Sequence, residues 1–174
     1  GPEFDRIRGI LSHLPDAPGV LVGPGDDAAV LVGGLVITTD MSVEEVHFRR
    51  DWISTEEAGY RAAAAALSDL AAMAAAPDAL LASVSVPGDG ADAEAVMSGI
   101  KRLANRYGIP LLGGDLTRSP GPLVVDVVAV GQSMDPLLRS GARVGDEIWV
   151  GLYTPLGGGG AQWGGSGRPC CGSA

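Results

Sequence analysis

Residues 23–48 read GPGDDAAVLVGGLVITTDMSVEEVHF. Two glycine turns, Gly23-Pro24-Gly25 and Gly33-Gly34, cut an otherwise apolar run into short pieces, which is the punctuation of a β-meander. Strands are expected over residues 20–22, 28–32 and 35–39. Paired acids, Asp26 and Asp27, stand before the second strand, and a third acid, Asp40, closes the third. Carboxylates at such positions are costly to shield from water unless something positive or hydrogen-bonding meets them. The partner of these acids therefore decides what the chain does.

Downstream the period changes. Ser54 with Glu57 three residues later fits a capping box, and the alanine-rich run after it is expected to be helical until Pro77 stops it. Residues 80–86 read as a strand. A second helix is expected from about Asp89 or Asp92, with Val96, Ile100, Leu103 and Tyr107 on one face and Gly108 as a left-handed cap. Residues 109–112, 123–131 and 147–150 supply further strands. The strand-helix-strand-helix-strand order specifies an α/β (α+β) domain, a mixed β-sheet with its helices packed on one face, over residues 3–150.

The 174 residues are 46% apolar, enough for one domain with a real core. A formal charge of −9 and a pI near 4.5 argue against a nucleic-acid or anionic-membrane surface, because the long-range field repels phosphates. A phosphate handled here is expected to arrive with a metal. The longest small-apolar run, residues 62–76, carries Ser68 and Asp69 and so does not read as a membrane span. Cys170 and Cys171 are adjacent and near the end, giving neither a disulfide framework nor spaced zinc ligands, and the expected setting is reducing and cytoplasmic. Gly1 to Phe4 read either as a tag-cleavage remnant or as native sequence. From residue 151 the text GLYTPLGGGGAQWGGSGRPCCGSA has neither helical nor strand period and reads as a tail outside the fold. A natural linker and a reading-frame change explain it equally.

The acids carry the chemistry. Asp27 precedes a strand, Asp40 ends one, and Asp115 follows Gly113-Gly114 at the expected end of another, so all three are placed at one rim of the sheet. Asp69 shares a helix face with Ala62, Ala65, Ala66, Met73 and Ala76 at spacings of three, four and seven, which points its carboxylate into a close contact. Arg49, Arg50 and Arg61 read as solvent- or phosphate-facing and offer no local partner. A hard cation such as Mg²⁺, held by a few carboxylates and sharing its other positions with water and phosphate oxygens, suits this set. Against it stands the ordinary use of Asp beside Gly as a turn former. His47 alone is more often structural or merely exposed than a ligand contact. Gly113-Gly114-Asp115 is either a turn or a close approach to a phosphate. No GxxxxGK[ST] loop and no HRD-type loop is present.

Taken in order, GDDAAVL, ITTDMSVEEVHF, LSDLAAMAAAP, GGDLTRS and RSGARVGDEIWV resemble the thiamine-monophosphate kinases, within the superfamily of aminoimidazole-ribonucleotide synthetase-like ATP-binding enzymes. The resemblance covers nearly all of residues 3–150. It implies a domain that binds ATP as co-substrate, thiamine monophosphate and several Mg²⁺ ions, and a complete enzyme that makes thiamine diphosphate. It implies Asp27, Thr38, Thr39, Asp40, Asp69 and Asp115 as metal ligands, and His47 as a contact to thiamine monophosphate. Gly114, Asp115 and Arg139 would contact ATP, with Tyr107 a further nucleotide neighbour. It also implies a homodimer joined through the sheets.

Three positions depart from the family pattern: Ala66 where it has Asn, Ala74 where it has Gly in AAMG, and Glu45 where it has Gly in EGVHF. The second domain of the family is missing from this sequence, so the chain is expected to be a truncated form with little activity of its own. The alternatives are another enzyme of the superfamily, of the selenophosphate synthetase or hydrogenase-maturation type, and a non-catalytic metal-binding or dimerisation module. Absence of a reactive Cys near the start, and the Val46-His47-Phe48 block, favour the thiamine enzyme.

Overall fold

The computed structural model describes residues 2–12 and 17–146. The expected strand at residues 147–150 and the glycine-rich tail lie outside the described residues. The chain divides into two units, Gly1–Arg139 and Ser140–Ala174. In the second, residues 140–146 are described; the Arg143 N–H donates to Asp146 Oδ2 at 2.7 Å there.

The first unit runs α1 (Pro2–Leu11), β1 (Val20–Val22), β2 (Ala29–Leu31), β3 (Leu35–Val43), α2 (Thr55–Ala72), β4 (Ala76–Val86), α3 (Asp92–Tyr107), β5 (Leu111–Arg118) and β6 (Val124–Gln132). The six strands form one sheet in the order β1-β2-β3-β6-β4-β5. Neighbours are antiparallel except β4 and β5, which are parallel and joined through α3. This is the mixed α/β sheet that the element order implies. Along β6 burial alternates strictly, with Val125, Val127 and Ala129 fully buried. Their neighbours in register, Thr38 and Asp40 on β3 and Leu80, Ala82 and Val84 on β4, share that face. α2 packs on β3, β4 and β6, and α3 on β4 and β5. No described helix covers the opposite face, and α1 contacts no other described element. No helix among the described residues is long and apolar enough to cross a membrane.

The two long helices form for the reasons legible in their sequences. Ser54 and Glu57 close a full capping box on α2, each side chain accepting from the other's backbone N–H. Gly108, at φ 67, caps α3 in the left-handed region. Where they cross, Gly59 and Gly99 let the backbones touch. A Cβ on Gly59 would lie 2.1 Å from the Val96 carbonyl oxygen, and one on Gly99 1.9 Å from that of Glu56.

Several sequence expectations are corrected. α2 ends at Ala72, and Pro77 lies inside β4 rather than stopping a helix. Ala74 turns the chain with φ 52, and the Ala75 N–H returns to the Leu70 carbonyl at 2.8 Å. Ala76 therefore belongs to β4 and not to the Asp69 face. β3 continues through Asp40 to Val43 because β6 pairs with it throughout, Asp40 opposite Val127. β5 likewise runs through Asp115 to Arg118. Neither acid stands at a strand end, so the single rim of acids expected from the sequence does not exist.

Candidate functional site

The pleat sorts the acids. Thr38 and Asp40 point to the helix side of β3, and Thr39 between them points to the bare side. Thr38 is buried because α2 lies over it, and its hydroxyl donates to Asp69 Oδ2 at 2.8 Å while standing 3.2 Å from the Asp27 carbonyl oxygen. The small side chains Ala62 and Ala66 bring α2 close enough for Asp69 to reach the sheet, and both are buried. Ala65 is only half-buried.

Asp27 comes from the β1–β2 loop, where the Asp27 N–H donates to Asp26 Oδ1 at 3.0 Å. The partner that local sequence did not supply arrives from 112 residues away. Arg139 Nη2 donates to Asp27 Oδ1, and the Arg139 backbone N–H donates to Asp26 Oδ2 at 3.1 Å. Two anchors deliver it: Ser133 N–H donates to the Gly34 carbonyl at 2.9 Å, and Leu137 N–H to the Met73 carbonyl at 3.2 Å. The Asp27 carboxylate holds the guanidinium above its ordinary basicity, and the charges of Asp26 and Asp69 add to this.

Asp69 and Asp40 are both raised from the usual carboxylate range. Burial is the main cause for each; the charges of Asp40 and Asp27 push Asp69 further up, against the Thr38 hydrogen bond. For Asp40 the charge of Asp126 adds to burial and that of His47 opposes it. Asp69 thus lies within the field of both Asp40 and Asp27. Among the described residues no three acids, histidines or cysteines converge tightly enough to enclose a metal by themselves. A Mg²⁺ ion does not require that, because it ordinarily takes one or two carboxylates and fills its octahedron with water and phosphate oxygens. The donors here are all oxygen, and among the described residues neither raised carboxylate is joined in a salt bridge, His47 and Arg139 offsetting them only through their charge. The set fits an ion shared with a polyphosphate, not a closed cage.

His47 lies in a tight turn after β3. The Val43 N–H donates to its Nδ1 at 3.0 Å, and the His47 N–H returns to the Val43 carbonyl at 2.8 Å. This engages Nδ1 and leaves Nε2 as the ring nitrogen available to a ligand, on an exposed side chain. Phe48, buried, anchors the turn in the core. Arg50, left to solvent or phosphate by the sequence reading, instead bridges Glu44 and Asp92, and Glu44 also accepts from the Leu123 N–H at 2.9 Å. Arg49 pairs with Asp51 at 3.2 Å and lies 5.0 Å above the Trp52 ring.

The remaining sequence-derived residues do not join this cluster within the chain. Thr39 donates to Asp126 Oδ1 at 2.8 Å on the bare face. Asp115 is on the edge strand β5, in register with Ser83 and, through it, with Asp126, so alternation places it on the bare face too. Gly114 is required there for a packing reason, since a Cβ would lie 1.7 Å from the Ala82 carbonyl oxygen. Tyr107 is half-buried at the end of α3 and packs against the core. Asp126 is the residue that sequence reasoning passed over; one acid inside the run VVDVVAV was the available signal.

Residues 25–133 match the family model described as AIR synthase related protein, N-terminal domain. Thiamine-monophosphate kinases of Rhodopirellula baltica and Mycobacterium tuberculosis are 36% and 39% identical, over 83% and 85% of this chain. The aligned parts are 49% and 46% of those proteins, so the chain spans about half the length of the curated relatives it matches. Among solved structures, AaThiL complexed with AMPPCP and TMP superposes with a TM-score of 0.64 at 28% identity, covering 82% of this chain and 45% of that one.

Proposed function

Because the chain belongs to the AIR synthase related protein family, we propose that it is the nucleotide- and metal-binding half of a thiamine-monophosphate kinase. The complete enzyme transfers the γ-phosphoryl group of ATP to the phosphate of thiamine monophosphate, releasing ADP and thiamine diphosphate. The observation that supports the reading best is the meeting of Asp27, Thr38 and Asp69, with Asp40 in their field, beside the single guanidinium of Arg139. Acids and one arginine facing a common space suit a magnesium–polyphosphate ligand, and phosphoryl transfer depends mainly on such positioning and charge neutralisation.

Bound magnesium supplies the positive charge that offsets the polyphosphate. Asp27, Asp40 and Asp69 hold it, with Thr38 fixing the Asp69 carboxylate. Arg139 takes a phosphate oxygen, and His47 offers its Nε2 to the acceptor. Gly114, Asp115, Thr39 and Tyr107, placed elsewhere on the chain, are assigned to the nucleotide and to further ions. The bare sheet face, where Ile37, Leu81, Val128 and Val130 are half-buried and Met41 is 53% exposed, is the face through which two copies pair.

Incubation with ATP, Mg²⁺ and thiamine monophosphate, followed by assay for thiamine diphosphate, tests the division of labour. Formation of thiamine diphosphate that depends on both ATP and Mg²⁺ is the expected result if the described residues carry the transfer, since phosphoryl transfer depends mainly on positioning and charge neutralisation. A thermal-shift series should meanwhile register stabilisation by ATP with Mg²⁺. No response to either ligand would count against the nucleotide assignment.

A further inference from the structure

The Arg139–Asp27 pair sets two uses of one carboxylate in competition. Asp27 cannot give the same oxygen both to a guanidinium and to a metal, and two cations on the Asp26–Asp27–Asp69 cluster repel each other. Among the described residues Arg139 supplies the cationic side chain paired with this cluster. We infer that Arg139 is the built-in counter-cation of the metal-free site, which Mg²⁺ displaces from Asp27 and which then passes to the phosphates of the nucleotide. The inference rests on the assignment of Asp27 and Asp69 to magnesium.

The geometry suits an exchange better than a permanent ion pair. The Arg139 side chain is 64% exposed and that of Asp27 is 23% exposed, so the guanidinium can leave through solvent while the carboxylate stays in place. The backbone stays with it: the Arg139 N–H on Asp26 and the neighbouring Leu137 N–H on Met73 keep the Cα at the rim of the cluster. The departing guanidinium therefore remains within one side-chain length of any phosphate bound to the ion. Magnesium alone must break the pair with nothing to receive the arginine. Magnesium with polyphosphate breaks it and gives the arginine a new anion, so metal and nucleotide bind with positive coupling, each raising the affinity of the other by the same factor. Arg139 thereby selects the metal–nucleotide complex over the free metal ion.

The test is a calorimetric titration of the full chain and its Arg139→Gln variant with Mg²⁺ alone and with Mg²⁺·AMPPCP. Removing the arginine should tighten Mg²⁺ alone by about tenfold, the factor that follows from a change of about 1.4 kcal/mol. It should weaken Mg²⁺·AMPPCP by a similar factor, so the two effects have opposite signs. Arg139→Lys, which keeps the charge, should leave Mg²⁺ alone as weak as in the parent, and it serves as the second variant should the glutamine form fold poorly. Unchanged or weaker binding of Mg²⁺ alone by Arg139→Gln, or tightened binding by Arg139→Lys, would overturn the exchange. A parent chain that fails to bind Mg²⁺·AMPPCP would instead reject the nucleotide assignment, leaving the sign of the Mg²⁺-alone change to decide the counter-cation role.

Discussion

Glu45 and Ala74 have φ of 66 and 52, and they are the non-glycine described residues in the left-handed region. The family pattern that the sequence resembles has glycine at both positions, and glycine adopts this region without a Cβ clash. An L residue there is strained by about 1–2 kcal/mol, partly offset by the extra freedom glycine has in the unfolded chain. Ala74→Gly should raise stability by about 0.5–1 kcal/mol in urea denaturation, and a loss would show that the turn tolerates a side chain without strain. Glu45→Gly should behave likewise, since the Arg49–Glu45 contact at 3.7 Å is exposed and surface pairs contribute little. The raised carboxyls have the opposite sign from ordinary paired acids. A group that binds protons more tightly when folded makes stability fall as pH rises from its unfolded value through its folded one. Asp40, raised by burial and by Asp126, should therefore destabilise the metal-free protein at pH 7. Asp40→Asn should be more stable than the parent in EDTA at pH 7, with the gain fading as the pH approaches 3.8; equal stability at both pH values would reject this. Of these site residues, the inward aim of Asp69 was legible, because a small-residue helix face declares itself in spacing. The Arg139–Asp27 pair was not, because nothing local relates residues 112 positions apart.

At the scale of elements, the α2–α3 crossing depends on two glycines with no room above them. Gly99→Ala gains up to about 1 kcal/mol of helix propensity but presses a methyl into the Glu56 backbone, where overpacking costs about 1–3 kcal/mol or more. A net loss of about 1–3 kcal/mol is expected from chemical denaturation, and a more stable variant would mean that the helices separate freely. The helices themselves were readable, because capping boxes and left-handed glycine caps are local chemistry. Their limits were less so. Pro77 looked like a helix stop, yet it is tolerated in β4 because β5 pairing begins only at Leu80 and a bulge lies between Pro77 and Ala79. β3 and β5 ran past their acids because strand length is set by the neighbours across the sheet, which no single run reveals. α1 escaped because its Pro2–Leu11 segment makes no contact with another described element to impose a pattern on its sequence.

At the scale of the whole molecule, a sheet covered by helices on one face only leaves an apolar surface that a second copy can bury. Met41→Lys, at a 53% exposed apolar position of that face, should shift the chain from dimer to monomer in sedimentation at micromolar concentration; a parent that is already monomeric would remove the dimer from the proposal. The most direct measurement is the calorimetric titration of Mg²⁺·AMPPCP into the parent and the Asp69→Asn variant, each with and without EDTA. Binding should need the metal and should weaken by tenfold or more in Asp69→Asn, about 1.4 kcal/mol, since one full charge leaves the ion's surroundings. Absence of binding, or binding indifferent to both EDTA and the loss of the Asp69 charge, would contradict the assignment of these acids to a magnesium-bound nucleotide.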